Sequence, residues 1–187
     1  MRIKSLKVSG FKSFCHLVEM GFTEHGTTVV VGPNGCGKSN VVDAIRWVLG
    51  EQRPKHLRGG SMEDVIFAGS AFQKPRGMTE VTLTFANPTG DTLSRFNEYS
   101  EIAVTRRLYR SGESVYMINK TPVRLMDIRE LFMDTGIGGT GYSIVEQGRV
   151  GEIVSAKPTD RRTLIDDAAG IVKFRTKRQA AERRLEE

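Results

Sequence analysis

The residues at 32–39 read G-P-N-G-C-G-K-S and follow the β-branched run T-T-V-V-V at 27–31. This is the G-x-x-x-x-G-K-[ST] phosphate-binding pattern, and the run before it predicts the strand that normally feeds such a loop. Its glycines allow the backbone amides to turn inward around a polyphosphate. The sequence then predicts a helix, so a bound phosphate would lie at a helix N-terminus. The apolar residues at helical spacing are Val41, Ala44, Ile45, Val48 and Leu49.

The side chains of this phosphate loop (residues 32–39) divide into distinct predicted roles. Lys38 supplies a point charge for the β- and γ-phosphates, and the Ser39 hydroxyl is a natural Mg²⁺ ligand. Cys36 is interpreted as a small residue at a variable loop position, with a low-pKa thiol as the alternative. A glycine-rich turn that binds nothing is the alternative for the whole loop. The predicted nucleotide-binding residues of the loop and its border are Gly32, Pro33, Asn34, Gly35, Cys36, Gly37, Lys38, Ser39 and Asn40.

Composition is that of an ordinary globular protein with one sizeable core, since 39% of the 187 residues are hydrophobic and 27% are charged. Two cysteines, Cys15 and Cys36, exclude a disulfide framework and a Cys/His metal cluster. No apolar run reaches membrane-spanning length, and the N-terminus lacks a signal-peptide stretch, so a cytoplasmic location is expected. The net charge of +6 is compatible with a nucleic-acid partner or with a solvated basic face.

Strands are predicted at 3–8, 80–85, 102–109 and 114–118, because their apolar residues alternate or their residues are β-branched. Residues 10–14 are predicted to form a turn, 51–60 a polar loop, and 38–49 and 124–133 helices. The R-S-G-E stretch at 110–113 resembles part of an ABC signature motif. Because it lies between two predicted strands, it is interpreted as a hairpin turn.

The last segment, from Pro158 onward, contains only one glycine and predicts a long helix. A heptad-like seam, interrupted at Asp167 and Arg178, favours the root of a coiled coil, with a terminal surface helix as the alternative. We therefore divide the chain into a domain at 1–157 and the start of a long helix at 158–187. The seam consists of Leu164, Ile171, Phe174, Ala181 and Leu185.

A phosphate loop alone does not hydrolyse ATP, because the reaction also needs an acidic residue at the end of an apolar strand to handle Mg²⁺. Downstream of the loop, no four apolar residues with strand character are followed by Asp or Glu. The nearest approach, at 115–118, ends in Asn119. The acid is therefore expected from another segment of polypeptide.

Several long motifs occur in order: F-K-S-F at 11–14, D-A-I-R-W-V-L-G-E-Q at 43–52, L-R-G-G-S-M-E-D-V-I-F-A-G-S at 57–70, I-V-E-Q-G-R-V at 144–150 and D-D-A-A-G-I at 166–171. With the phosphate loop, they resemble the N-terminal part of a bacterial SMC (structural maintenance of chromosomes) ATPase head. The resemblance implies an α/β P-loop NTPase of ABC-ATPase type. Its N-terminal lobe has a mixed or antiparallel sheet around the loop helix and leads into a coiled coil.

The resemblance also implies an activity and a set of partners. A C-terminal lobe would supply the acidic strand and the signature motif, and two heads in a homodimer would enclose ATP and Mg²⁺. The complete dimer would hydrolyse ATP to drive chromosome condensation and segregation, and this fragment alone would be inactive. A kleisin-type subunit and double-stranded DNA are the other expected partners, with no membrane. The alternative is a Rad50/RecN-like DNA-repair ATPase head.

Particular residues acquire roles by the same resemblance. Gln147 matches the Q-loop glutamine, which would touch Mg²⁺ and the water near the γ-phosphate, and Arg58 matches an arginine aimed at the nucleotide. Lys12 and Ser13 would lie near the nucleotide, and Asp64 on its adenine side. For DNA, phosphate contacts are expected from exposed cations, each of which is equally well explained as a solvated surface residue. The DNA candidates are Lys120, Arg124 and Lys55, with His56 beside them.

Overall fold

The structure is a computed structural model that describes residues 1–87 and 98–133, together with the single positions 144, 155, 162, 178, 182 and 185. The chain divides into two compact units, Met1–Ile128 and Arg129–Glu187. The boundary predicted at 157 remains a prediction.

The first unit is built on a six-stranded antiparallel sheet in the order β2-β1-β3-β4-β5-β6. Strands that are consecutive in the chain are adjacent in the sheet, except that β3 pairs with β1 and β2 lies on the outer side of β1. The strands are β1 (Arg2–Ser9), β2 (Val18–Gly21), β3 (Met78–Ala86), β4 (Glu101–Tyr109), β5 (Ser114–Ile118) and β6 (Thr121–Val123). This confirms the four predicted strands and adds β2 and β6.

Strict alternation of side chains gives the sheet one apolar face. Along β3, every second residue is buried, with Val81, Leu83 and Phe85 fully so. β4 follows the same rule in register with β3, since Leu83 lies opposite Val104 and Phe85 opposite Ile102. The other face is polar: the hydroxyls of Thr82 and Thr105 lie 2.8 Å apart across these strands. One face therefore forms the core, as period-two patterning requires.

Helix α1 (Lys38–Val48) covers the apolar face. Its buried stripe includes Val41, Ala44, Trp47 and Val48, which recur at three- and four-residue spacing. The helix ends at Val48 with Leu49 as its C-cap, and Gly50 follows in a left-handed conformation with φ of 104°. The predicted helix and its glycine stop are confirmed.

An arginine, Arg106, lies within this core at 1% exposure. Its Nη1 donates to the carbonyl oxygens of Trp47 at 2.8 Å and Glu51 at 2.7 Å, at the C-terminal end of α1. The guanidinium lies 4.6 Å from the centroid of the Trp47 ring and 4.9 Å from that of Tyr116. Burial lowers the pKa of Arg106 to about 10. The cation thus satisfies the end of the helix, where the backbone dipole favours positive charge.

Tight hairpins join the last strands. The R-S-G-E stretch at 110–113 is the β4–β5 turn, with Gly112 at φ of 87°, as predicted. Asn119 and Lys120, both at positive φ, turn the chain from β5 into β6. Lys120 therefore lies within a turn, and β6 separates it from Arg124. The two DNA candidates Lys120 and Arg124 therefore lie at opposite ends of β6.

Helix α2 (Leu125–Met133) follows β6 and confirms the helix predicted at 124–133. Its start is capped by Asp127, whose carboxylate accepts the Arg124 backbone N–H at 2.8 Å.

The predicted strand at 27–31 is wrong, because the structure assigns these residues no strand and no ladder partner among the described residues. The side chains of Val29, Val30 and Val31 are exposed by 71%, 47% and 83%. β-branched residues favour extended backbone, but a strand forms only where a neighbour accepts its hydrogen bonds.

In the second unit, the described positions 155, 162, 178, 182 and 185 have α-helical backbone and are exposed. Arg178 Nε donates to Glu182 Oε1 at 2.7 Å, an i,i+4 pair on a helix surface. Of the predicted seam, only Leu185 is described, and its side chain is 86% exposed. The remaining seam residues lie outside the described residues.

Candidate nucleotide-binding site

The phosphate loop makes its turn with two glycines in left-handed conformations, Gly35 at φ of 83° and Gly37 at φ of 97°. Gly37 is also the N-cap residue of α1. L-residues rarely adopt these angles, which explains the glycines at both positions. The loop is exposed along residues 32–36. A Cβ added at Gly35 would meet nothing within 4 Å, so the loop faces open space.

Lys38, the first residue of α1, extends its side chain back over the loop. Its Nζ donates to the carbonyl oxygens of Gly32 and Pro33, each at 2.6 Å. The ammonium is therefore held inside the curve of the loop, where the motif requires a positive charge for phosphate oxygens.

The N-terminal turn of α1 suits an anion bound with a metal ion. Its first turn contains no acidic residue, so nothing opposes the positive end of the helix dipole. Ser39 is exposed, which leaves its hydroxyl accessible as a Mg²⁺ ligand. These residues fit a polyphosphate with Mg²⁺.

The turn at 10–14 is fastened beside the loop by backbone pairing and by aromatic packing. Phe11 bridges to both Phe14 and Ile66, and its ring lies 5.5 Å from that of Trp47 on α1. The Lys12 backbone N–H donates to the carbonyl oxygen of Val65 at 2.7 Å, with Lys12 itself at φ of 46°. The turn therefore presents the side chains of Lys12 and Ser13 to the N-terminal half of α1.

Ser13 touches the phosphate loop directly. Its Oγ accepts a hydrogen bond from Asn40 Nδ2 at 2.8 Å. A Cβ added to Gly37 would lie 2.6 Å from the same oxygen, so this close approach needs glycine. The structure thus brings Ser13 and Asn40 together beside the loop, and a nucleotide contact from either residue remains a prediction.

A buried carboxylate that the sequence analysis did not single out lies at the centre of this region. Asp43, one turn along α1, is 4% exposed. Its Oδ2 accepts from Lys12 Nζ, and from Arg58 Nη2 at 2.6 Å and Nε at 3.1 Å. We call Lys12, Asn40, Asp43 and Arg58 the Asp43 cluster. No local pattern announces it, because its members are brought together from three separate segments.

Arg58 follows the 3₁₀ helix Pro54–Leu57 and adopts a left-handed backbone at φ of 55°. Its guanidinium reaches α1 and donates to Asn40 Oδ1 at 3.0 Å as well as to Asp43. The side chain remains 53% exposed. Arg58 therefore lies at the start of the loop helix with part of its charge facing solvent.

The profile of the RecF/RecN/SMC N-terminal domain family matches residues 2–143, which include the sheet, the phosphate loop and the Asp43 cluster. The chain belongs to this family.

Relatives within the family are chromosome partition proteins. The chain is 58% identical to the chromosome partition protein Smc of Myxococcus xanthus over 187 residues, and 52% identical to that of Bacillus subtilis over 185 residues. These alignments cover 100% and 99% of this chain but only 16% and 15% of the relatives. The chain thus spans about one sixth of the length of the curated relatives it matches.

Solved SMC heads share the fold. One is the Smc head domain with an extended coiled coil, bound to the C-terminal domain of ScpA, from Pyrococcus furiosus. It superposes with a TM-score of 0.82 at 35% identity, covering 99% of this chain and 46% of that chain. The expected SMC-type ABC-ATPase fold is therefore confirmed.

Asp64, expected on the adenine side, serves its own loop in the structure. Its Oδ2 accepts the backbone N–H groups of Gly60 and Ser61, each at 2.8 Å, and so caps the 3₁₀ helix Met62–Val65. These hydrogen bonds, with that of the Ser61 side chain, lower the pKa of Asp64. A nucleotide contact from Asp64 remains a prediction.

The other predicted site residues are not members of the Asp43 cluster. Gln147 lies outside the described residues, so its role remains a prediction. Lys55 is an exposed residue of the 3₁₀ helix Pro54–Leu57, and Lys120 and Arg124 are exposed near β6. His56 Nδ1 lies 2.7 Å from Glu51 Oε2.

Within 1–87, 98–133 and the six single positions, no helix is long and apolar enough to cross a membrane. The same residues contain no group of three or more His, Cys, Asp or Glu side chains arranged to hold a metal ion.

Proposed function

We propose that this chain is the ATP-binding half of an SMC head, which binds ATP and Mg²⁺ and hydrolyses ATP once the head is complete and dimerised. The observation that carries this proposal is the phosphate loop itself. It starts α1 with left-handed glycines and with the Lys38 ammonium held inside its curve. The family and the Smc relatives support it, and leave the Rad50/RecN-like alternative less supported.

Each residue of the site has a proposed role in binding ATP or Mg²⁺. The loop amides and the N-terminus of α1 bind the β-phosphate, and Lys38 leaves the carbonyls of Gly32 and Pro33 for phosphate oxygens. Ser39 and Gln147 would hold Mg²⁺, which would supply positive charge near the transferred phosphoryl group. Arg58 contributes positive charge beside the loop.

The exposed run at 27–31 supports the need for a second lobe. Three adjacent valines with this exposure form an apolar edge whose backbone groups lack ladder partners among the described residues. Such an edge is normally covered in a folded protein. We propose that the C-terminal lobe pairs with this run and supplies the catalytic acid, and that a second head supplies the signature motif.

Nucleotide binding by the full-length protein tests the proposal. Lys38→Ala removes the ammonium and should weaken ATP binding by at least about a hundredfold, since several phosphate contacts depend on that charge. Lys7→Ala is the matched control, because Lys7 is an exposed lysine of β1 paired with Glu19. Equal affinity of the two variants in a calorimetric titration would refute the proposed site.

Hydrolysis provides a second test. We expect negligible turnover from the 187-residue chain alone and restored turnover when the C-terminal lobe is added. Robust turnover by the chain alone, retained after anion-exchange purification and lost in Lys38→Ala, would overturn the claim that the acid comes from elsewhere.

A role as a docking module for a kleisin-type subunit can coexist with ATP binding. The solved relative from Pyrococcus furiosus is bound to a domain of ScpA, and this chain has exposed helical positions at Arg178, Glu182 and Leu185. We propose the segment at 158–187 as the docking helix. Deletion of 165–187 should abolish binding of a kleisin fragment, and unchanged binding would contradict the assignment.

Double-stranded DNA is the proposed substrate of the complete assembly, with sequence-independent phosphate contacts from Lys55, Lys120 and Arg124. These cations are exposed. The logarithm of the DNA-binding constant falls with the logarithm of the salt concentration, and each alanine variant should reduce that slope by about one. An unchanged slope in all three variants would exclude this surface.

A further inference from the structure

We infer that Asp43 is a positioning residue that sets the Arg58 guanidinium beside the phosphate loop, so that turnover depends on Asp43 through Arg58. This inference rests on the proposed ATPase function. It extends that function to a residue that contacts neither the loop backbone nor the Lys38 ammonium in the structure.

The first support is the burial of the carboxylate. The Asp43 side chain is 6% exposed, whereas the Arg58 side chain that it binds is 53% exposed. A buried carboxylate is costly unless it is paired and hydrogen-bonded. Among the described residues, Asp43 meets that condition through the cations of Lys12 and Arg58. The carboxylate is therefore the fixed member of the pair, and the arginine is the member that it orients.

The second support is the geometry of Arg58. Its Nε and Nη2 both donate to Asp43 Oδ2, and Nη2 also donates to Asn40 Oδ1. Asn40 and Asp43 are three residues apart on α1, so one guanidinium spans adjacent positions on a single helix face. Because Asn40 immediately follows Ser39, this places the arginine within one helical turn of the Ser39 hydroxyl.

The third support is the strained backbone at Arg58. A left-handed φ of 55° is unfavourable for a residue with a Cβ and persists only where the surroundings hold it. The Arg58 N–H donates to Lys55 O at 3.0 Å, and the Gly59 N–H to Pro54 O at 3.0 Å. The backbone after the 3₁₀ helix Pro54–Leu57 thus directs the Arg58 side chain toward α1, where Asp43 accepts its hydrogen bonds.

Lys12 completes the arrangement from the other side. Its Nζ donates both to Asp43 Oδ2 and to the carbonyl oxygen of Leu57, the residue before Arg58. Lys12 therefore fastens the 3₁₀ helix to the same carboxylate that holds the guanidinium. Loss of the Asp43 charge would leave two cations facing each other, and their repulsion would move Arg58 away from the loop.

The test uses full-length protein and compares Asp43→Asn, Arg58→Ala and the double variant. Asp43→Asn keeps the size and one acceptor oxygen but removes the charge. We expect kcat to fall about tenfold to a hundredfold, as for a misplaced catalytic group, while the ATP dissociation constant changes by less than about threefold. The double variant should be no slower than Arg58→Ala within about twofold, because both changes remove the same contribution.

Glu80→Gln is the matched control, since it breaks a carboxylate–arginine pair with Arg107 on the polar face of the sheet. Its kcat should equal that of the wild type. If Asp43→Asn does not fold, Asp43→Glu keeps the charge and displaces it by one methylene, and the same comparison with Arg58→Ala applies.

The outcomes separate this inference from the proposed function. Wild-type kcat in Asp43→Asn, or a double variant slower than Arg58→Ala by the full Asp43→Asn factor, would overturn the inference. A wild-type rate in Arg58→Ala would overturn it as well. In each case the proposed function stands if the wild-type protein binds and hydrolyses ATP, and it fails if the wild-type protein does neither.

Discussion

The sheet and the phosphate loop, although they adjoin in one unit, differ in how far they complete their own structure. β1, β3 and β4 pair along their length, and their apolar face is buried under α1. The run that leads into the phosphate loop has no ladder partner among the described residues, and its valines face solvent. The sheet is therefore a scaffold that completes its pairing within the described residues, whereas the run that feeds the loop does not, and its proposed partner is the C-terminal lobe.

This difference separates two kinds of residue. Changes in the scaffold should lower the free energy of unfolding of the chain itself. Changes in the run before the loop should leave the isolated chain intact and act only in the complete head. The following predictions test that separation.

Gly10→Ala should have the largest effect. Gly10 has φ of +65°, and an added Cβ would lie 2.4 Å from the backbone oxygen of Met78. Because a backbone atom cannot move aside cheaply, we expect a loss of about 3 kcal/mol or more in the free energy of unfolding, measured by urea denaturation. Gly77→Ala is the control, since its Cβ would meet nothing within 4 Å. Equal stability of the two variants would contradict the prediction.

Arg106→Met should destabilise the scaffold by about 2 kcal/mol, because carbonyl oxygens at the end of α1 lose their buried donor and the ring contacts are lost. Removal of a buried charge offsets part of this cost. Arg107→Met, on the polar face and paired with Glu80, should cost less than about 1 kcal/mol. Thermal or urea unfolding of both variants makes the comparison, and a larger loss at Arg107 would contradict it.

Val31→Lys tests the incomplete region. The side chain is 83% exposed, so the free energy of unfolding of the isolated chain should change by no more than about 0.5 kcal/mol. Association with a separately expressed C-terminal lobe should weaken about tenfold, or about 1.4 kcal/mol. Leu17→Lys, at a residue 66% exposed just before β2, should leave that association unchanged. Destabilisation of the isolated chain by Val31→Lys would show that the run is already packed.

Asp64→Asn should have the smallest effect, and one that depends on pH. The native pKa of Asp64 lies below its ordinary value of 3.8, so the native protein holds the proton less tightly than the unfolded chain. The stabilisation is therefore present above pH 3.8 and is lost as the pH falls through the lower native pKa. Wild type and variant should differ in thermal stability at pH 7 and converge in acid. A difference that persists in acid would assign the effect to another cause.

Sequence patterning predicted the scaffold well for a physical reason. Alternation at 80–85 and glycine at the end of α1 are local signals, and the structure satisfies them within the described residues. The same reasoning failed at 27–31. β-branched residues favour an extended backbone, but a strand forms only when a neighbouring strand supplies hydrogen-bond partners for that backbone. Propensity carries no information about which segment that neighbour belongs to.

The site was predictable to a different extent. The loop residues follow from a motif whose spacing encodes its geometry. The expectation that Ser13 and Arg58 lie near the nucleotide came from the family resemblance and remains a prediction. Asp43 carried no signal, because its meaning depends on Lys12 and Arg58, which are distant in sequence. Arg106 did carry one: it occupies the buried phase of β4 with Ile102, Val104 and Leu108, where a charge needs a dedicated partner.

The hydrogen bonds from Arg106 to the carbonyls of Trp47 and Glu51 have a mechanical consequence. They attach the C-terminal end of α1, a helix about 16 Å long at 1.5 Å per residue, to the central strand β4. The helix cannot shift along its axis without breaking these hydrogen bonds. A force on the phosphate loop is therefore transmitted through α1 to the sheet, and a movement confined to the loop must occur before Lys38, where the helix begins.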